Sequence, residues 1–468
     1  MKRKIRLIPA VLSAVLVATT LSACGNAAPA ASAQTSASTE SASAAATSSP
    51  ATTAASPEAQ PVALKFITTN VQENAEKDER VKTYFDSIAA FMTANPNVTI
   101  EVEAVPHDAY QDKAQILAAA NELPDVYDLK GSWTKNFVKN GVVMKLNDYI
   151  DANPDWKAAI KPIAYGNFLI DGAIYGLCMD AGGSTTLLYY NEKILKECGI
   201  DAVPKTMDEL KAAVPKIKAK GYTPISMGNM SNWLAESCYL SAIGSRYTGD
   251  EWNTSIVERT GAKFTDESFV KGLALMQDLA KIGAFNEDLN SIDYKQQRIP
   301  FMNGKAAMMV EGYWSINTLN ADTPKELLPF IHVTGLPDQT DAKVPNYTAG
   351  GNGGWAYALN SGLKDTSAEA ALQWLRSYIS PEYAGRILAK GIPTGVSSDS
   401  YDKTGLTPLS QELYRVIDSV PACVTYDLVF EPAVIDVMCK GLQELLIHSV
   451  TPEELAARIQ EEYEAGAE

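Results

Sequence analysis

Between residues 62 and 129 the apolar residues switch repeatedly between two spacings, and few folds tolerate that. VALKFIT (62–68) is a β-branched and aromatic run of the kind that forms a buried strand. ERVKTYFDSIAAFMTANP (79–96) then sets Val81, Tyr84, Phe85, Ile88, Phe91 and Met92 on one helical face, and Pro96 stops it. VTIEVEAV (98–105) predicts a second strand, AYQDKAQILAAANELP (109–124) a second helix and PDVYDL (124–129) a third strand. Strand and helix in alternation predict a mostly parallel sheet covered by helices. In such sheets ligands lie beyond the carboxyl ends of the strands, which directs attention to GSW (131–133).

The second half repeats the mixture. TLLYYN (186–191), TPISMG (223–228), KAAMMVEG (305–312) and GGWAYALN (353–360) predict strands. FVKGLALMQDLAKIGAF (269–285), EAALQWLRSYIS (369–380) and TPEELAARIQEEYE (451–464) predict helices. TMDELKAAVPKIKAKG (206–221) is a further amphipathic helix, with Thr206 as its N-cap and Glu209 at the capping-box position. No fixed-period repeat is present.

Ahead of this body stands a different kind of sequence. MKRKIR carries four cations, and LIPAVLSAVLVATTLSA (7–23) carries no charge, so residues 1–23 predict a secretory signal. A retained membrane anchor is the competing reading, since the apolar run is near the lower length limit for a span. Leu21-Ser22-Ala23-Cys24 resembles the lipobox of bacterial lipoproteins, which implies lipid attachment at Cys24 and cleavage before it. Multiple acyl chains on Cys24 would hold the protein at the outer, extracytoplasmic face of the cell membrane. Ala, Ser, Thr and Pro dominate residues 25–60, which hold no Leu, Ile, Val, Phe or Trp, so residues 24–60 predict a disordered tether. Its r.m.s. reach is about 30–35 Å.

The remaining 400 or so residues are about right for two domains. The formal net charge is −16, and losing the four cations of the leader takes the mature chain to −20. An acidic surface of that size argues against nucleic acid and against flat adsorption on anionic lipid. Setting aside Cys24 leaves Cys178, Cys198, Cys238, Cys423 and Cys439, an odd number with no CxxC spacing. Buried free thiols are therefore expected, with neither a disulfide scaffold nor a zinc site.

Taken in order, several stretches resemble the family 1 extracellular solute-binding proteins, the maltose-binding-protein-like capture subunits of ABC sugar importers. They are PDVYDLKGSW (124–133) with NGVVMKLNDYI (140–150), IYGLCMDAGGSTTLLYYNEKILKECGI (174–200), PKTMDELKAAVPKIKAKGYTPIS (204–226), FMNGKAAMMVEGYW (301–314) and GGWAYALNSGLKDTSAEAALQWLRSYISPE (353–382). The stretch GLCMDAGGST (176–185) departs from the family pattern in being richer in glycine. The resemblance covers most of residues 62–468. It implies a periplasmic-binding-protein-like α/β fold: two lobes joined by a multi-strand hinge, with a ligand cleft between them. By analogy lobe 1 takes 61–178 plus 355–394 and lobe 2 takes 179–354 plus 395–468. The implied partners are a carbohydrate ligand and the ABC permease subunits in the membrane, with a monomeric protein and no cofactor.

A pyranose offers apolar C–H faces and a rim of hydroxyls, so its site needs flat aromatic surfaces beside donors and acceptors. Stacking one face removes roughly 50–80 Å² of apolar area, worth about 1–2 kcal/mol, whereas micromolar binding needs about 8 kcal/mol. Polar contacts must supply the rest. Trp133 follows Gly131-Ser132 at a strand end, Trp233 lies beside Asn229 and Asn232, Trp314 follows Glu311 and Gly312, and Trp355 follows AGGNGG, next to Asn352. The resemblance places Trp233 and Trp314 where relatives carry sugar-stacking rings. Glu73, Asn74, Ser132, Asp180 and Glu311 are the polar candidates, against the plainer alternatives of surface charge, hinge-loop cap or sheet-end ion pair. Trp374 has Ala371, Leu375 and Tyr378 on its helical face and reads as core; Trp156 reads as a helix-start residue, and Trp252 as lying in a polar loop.

A hydrolase is the contrasting class. The three histidines, His107, His332 and His448, sit in no HExxH, and there is no GxSxG. Ser132-Trp133-Thr134-Lys135, Ser315-Ile316-Asn317 and Lys403-Thr404-Gly405 mimic the triplets of penicillin-recognising enzymes, but the first serine follows a strand and KTG lies in a polar turn. No catalytic or metal-binding residue is therefore assigned. A binding protein for a non-sugar solute such as a peptide or polyamine is the closer alternative.

Overall fold

The structure, a computed structural model, describes residues 60–399, 401 and 403–466. The expected signal, Cys24 and all of the tether except Gln60 lie outside the described residues. The strands of the two main sheets are, in chain order, β1 (Val62–Thr68), β2 (Val98–Ala104), β3 (Val126–Lys130), β4 (Leu187–Asn191), β5 (Thr223–Ser226), β6 (Ala306–Glu311), β7 (Ile331–Thr334) and β8 (Trp355–Leu359).

The first sheet has the order β8-β3-β1-β2. β1 runs parallel to β2 and β3, and β8 returns antiparallel to β3 with Trp355 opposite Lys130. That reversal brings the start of β8 to the same edge as the carboxyl ends of β1 and β3. Helix Asp365–Tyr378 packs against β1 on the face carrying Phe66, and helix Glu79–Ala94 packs on that helix and on β2. Here Phe66 meets Trp374 edge-on at 4.5 Å and Tyr84 stacks on Tyr357 at 5.5 Å. Trp374 is fully buried, as its helical neighbours predict.

The second sheet has the order β5-β6-β4-β7. β5 is parallel to β6, and β4 is antiparallel to both β6 and β7. Every residue of β6 is buried. Thr206 caps its helix by accepting from the Glu209 amide at 3.2 Å, but the Glu209 carboxylate reaches back to the amide of Lys205, one residue earlier than a capping box requires. The closing helices Pro432–Leu446 and Pro452–Ala465 pack on helix Glu267–Lys281. Trp252 departs from the polar-loop expectation. It lies in helix Asp250–Glu258, stacks on Phe269 at 5.2 Å and donates to Asp266 at 2.8 Å, because its ring closes the end of the helix Phe269 begins.

Three chain crossings lie side by side between the sheets. Residues 182–185 bond to 349–351 through Gly182 N–H to Gly351 O (2.6 Å) and Thr185 N–H to Ala349 O (2.7 Å). Thr348–Ala349 in turn pairs in parallel with Ala422–Cys423. Residues 395–397 still bond to 159, 161 and 179 beside the first sheet, while helix Pro408–Ser419 packs on β7 through Glu412 and His332. All five described cysteines are buried free thiols. Among the described residues no helix is long and apolar enough to cross a membrane, and no cluster of His, Cys, Asp and Glu could hold a metal ion.

Trp374→Ala removes the ring on which Phe66, Tyr84 and Tyr378 close the first lobe. Urea unfolding is expected to show a loss of about 3–5 kcal/mol.

Candidate functional site

Both sheets aim their strand ends at one cavity of about 700 Å³. From the first lobe come Thr69, Asn70, Asn74, Arg80, His107, Asp128 and Trp355; from the second come Thr185, Trp233, Tyr294, Arg298, Tyr313 and Trp314. The size suits an enclosed small ligand.

The aromatic surfaces are presented by buried neighbours. Trp355, at the head of β8, meets the edge of Trp133 at 5.4 Å and lies 5.2 Å from His107. Trp133 itself is buried, stacked on Phe137 at 5.9 Å, and does not line the cavity; it fixes the ring that does. On the facing wall Trp233 contacts Tyr294 at 5.1 Å and Trp314 at 6.1 Å. The Trp233 indole N–H is buried without a partner among the described residues. His107 reaches across to Trp233 at 5.9 Å, and Ser231 donates to Asp108 at 2.6 Å, so the two walls touch at the mouth.

Trp314 is held from behind. Its indole N–H donates to Glu311 Oε1 at 2.8 Å, and the same fully buried carboxylate takes a bidentate pair from Arg298. Arg298 also sits 5.4 Å from the Tyr294 ring. Burial works against the Arg298 charge, but Glu311 outweighs it and keeps the guanidinium ionised. Gly312 permits this, because a Cβ there would fall 2.2 Å from Trp314 Cζ3. Glu311 therefore stands behind the wall and orients two residues of it.

Asp180 sits at the first crossing. It accepts from Arg80 Nη1 at 3.1 Å and from the Tyr313 hydroxyl at 3.3 Å. Arg80 spends its other nitrogens on Asp78, at 2.6 and 3.0 Å. The extra glycine noted in the 176–185 stretch has its reason here. A Cβ on Gly183 would lie 2.2 Å from the Tyr313 ring, which must pass over that backbone to reach Asp180. Asp427, which lines the cavity, pairs with the buried Lys130 at 2.8 Å. Behind it Glu236 is fully buried; desolvation, then the nearby Asp427, raises its carboxyl well above the usual range.

The sequence candidates thus divide. Asn74, Asp180, Trp233, Trp314, Asn352 and Trp355 line the cavity. Glu73, Ser132, Trp133, Asn229, Asn232 and Glu311 do not. Glu73 is exposed in the turn Gln72–Asn74, and Ser132 is half-buried beside Trp133. Asn229 is fully buried and accepts from the Ala235 amide at 3.0 Å, anchoring the Trp233 segment, and Asn232 adopts a left-handed turn conformation with φ 60°. Sequence reasoning missed Arg80, Asp128, Tyr294, Arg298 and Tyr313. A charge within the apolar run of β3 was the one readable signal, since buried strands seldom carry an aspartate. Ser315 of the enzyme-like triplets donates to Gly312 O at 2.9 Å.

The model of the bacterial extracellular solute-binding proteins matches residues 72–385. The chain belongs to that family. This solute-binding protein is 26% identical over 241 residues to the maltotriose-binding protein of Pyrococcus abyssi (strain GE5 / Orsay), a match covering 50% of this chain and 47% of that one. It is 24% identical over 261 residues to the multiple sugar-binding protein of Streptococcus mutans, covering 53% and 58%. The matched part spans about half the length of these curated relatives. A solved chitin oligosaccharide binding protein superposes with a TM-score of 0.79 at 24% identity, over 87% of this chain and 100% of that chain. That likeness establishes the two-lobed periplasmic-binding-protein-like fold of this solute-binding protein.

Glu311→Gln leaves Arg298 buried without its counter-charge. A loss of about 3–5 kcal/mol in urea unfolding is expected, with a changed Trp314 emission. Gly183→Ala displaces Tyr313 from Asp180 and is expected to cost about 1–3 kcal/mol in the same assay.

Proposed function

We propose that this protein captures a sugar or short oligosaccharide in the cleft and releases it unchanged to an ABC permease. The supporting observation is the pairing of facing indoles, Trp355 on one wall with Trp233 and Trp314 on the other, around a cavity lined with hydrogen-bonding groups. Sugars need that combination, since their ring faces are apolar and their rims are not. The relatives named for maltotriose, multiple sugars and chitin oligosaccharide support the same reading. An open form binds sugar on one wall, and bending of the three crossings brings the other wall onto it. The closed form then docks on the permease, whose partner ATPase supplies the energy. Lipid on Cys24 keeps the protein at the outer membrane face throughout.

A polyamine site would leave several carboxylates free for ammonium groups. Here Asp78 and Asp180 are bound by Arg80, Asp322 by Lys77 and Asp427 by Lys130, which favours a neutral ligand.

Titration of the full chain with maltotriose, chitobiose and xylobiose is expected to change its tryptophan fluorescence, with the saccharide recovered intact by mass spectrometry. Trp314→Ala should weaken binding about tenfold, the worth of one stacked ring face. Turnover of the saccharide, or a response to spermidine and to none of the sugars, would displace this reading.

A further inference from the structure

Among the carboxylates lining the cleft, Asp128 is the exception to charge pairing. Its Oδ2 accepts three hydrogen bonds, from the Thr69 amide at 2.6 Å, the Thr69 hydroxyl at 2.8 Å and the Thr68 hydroxyl at 3.0 Å. Its Oδ1 is buried and accepts none among the described residues. The residue is 4% exposed, yet it forms part of the cavity lining. Such an oxygen carries the full cost of lost hydration with nothing in return.

Among the described residues none of the neighbouring donors is directed at it. Tyr110, from helix His107–Ala120, donates to the Asp128 carbonyl at 2.7 Å. Tyr357, from β8, shares its hydroxyl with Asn70 at 3.2 Å and Tyr378 at 3.5 Å. Tyr84 faces it from helix Glu79–Ala94, and Asp180 faces it from the hinge with a like charge. The cleft cation near Asp180, Arg80, is already divided between Asp78 and Asp180. Three donors fix one oxygen of the carboxylate, so the other is held in a set direction.

We infer that Asp128 is the inner polar anchor of the cleft, its Oδ1 accepting a hydroxyl hydrogen from the bound saccharide. The inference rests on the sugar-capture reading and names the contact that orients the sugar between the indoles. Burial, opposed by the threonine hydrogen bonds, raises the Asp128 carboxyl to about 6. A ligand hydroxyl favours the anion, so binding is complete above that value and weakens as the pH falls through it. At about pH 5 roughly one tenth of the empty protein carries the anion, giving about tenfold weaker binding. The raised value also means that the anion destabilises the fold as pH rises through about 6.

Asp128→Asn tests this. The threonine donors retain the amide oxygen and turn the NH2 group toward the cavity, replacing an acceptor with a donor. Calorimetry on the full chain would use whichever of maltotriose, chitobiose and xylobiose the wild type binds most tightly. The expected result at about pH 7.5 is affinity lower by about ten- to a hundredfold in D128N, with a Tm unchanged or higher. The wild-type weakening at about pH 5 should disappear in the variant. Equal affinity in D128N, or a loss of affinity that comes with a lower Tm, overturns the inference and leaves sugar capture standing. Should D128N fail to fold, a wild-type affinity that stays flat between about pH 5 and pH 7.5 overturns it equally. Failure of the wild type to bind any of the three sugars removes the sugar-capture reading, and this inference with it.

Discussion

Asp180 is a single side chain in which both lobes meet. Arg80 reaches it from a helix covering the first sheet, and Tyr313 reaches it from the end of β6 in the second. Because it stands in the first of three adjacent crossings, any bending of those crossings changes both distances together. Desolvation opposes the charge on Arg80, and Asp78 with Asp180 outweighs it, so the pairing is electrostatically committed. The cleft is therefore closed around a fixed ionic point at its root, while its mouth is joined by the smaller contacts of His107 with Trp233 and Ser231 with Asp108.

The walls follow one rule. Each indole that faces the cavity is oriented by a group that does not: Trp355 by Trp133, Trp314 by Glu311, Trp233 by the loop that Asn229 anchors. Fixing a ring before the ligand arrives lowers the entropy lost on binding. The polar lining is handled likewise, with Arg80 matched to Asp78 and Asp180, and Lys130 to Asp427.

How much of this the chain's letters disclose depends on the range of the interaction. The strands and helices of the first sheet follow from local period and were readable, as were Thr206 as a cap and Trp374 as core. Trp233 and Trp314 were readable as candidates because the family resemblance places rings there, and Trp355 because it follows a glycine-rich loop; all three line the cavity. Trp252 was misread because its partners Asp266 and Phe269 belong to the next helix. Trp133 and Glu311 occupy the same kind of strand-end position as the cavity residues, and nothing local distinguishes a ring or carboxylate in the wall from one behind it.

The sequence by itself determined the alternation of strand and helix, the free thiols, the acidic surface and the set of aromatic residues available at strand ends, since these depend on composition and on neighbours within a few positions. Only the tertiary structure decided which of those residues face the cavity, that Arg80 and Arg298 are consumed by internal ion pairs, and that Asp128 keeps an oxygen unpaired. The physical reason is that burial and hydrogen-bond satisfaction are sums over atoms brought together from distant parts of the chain. The bonds from Thr68 and Thr69 to Asp128 cross about 60 residues, a separation over which no local pattern survives.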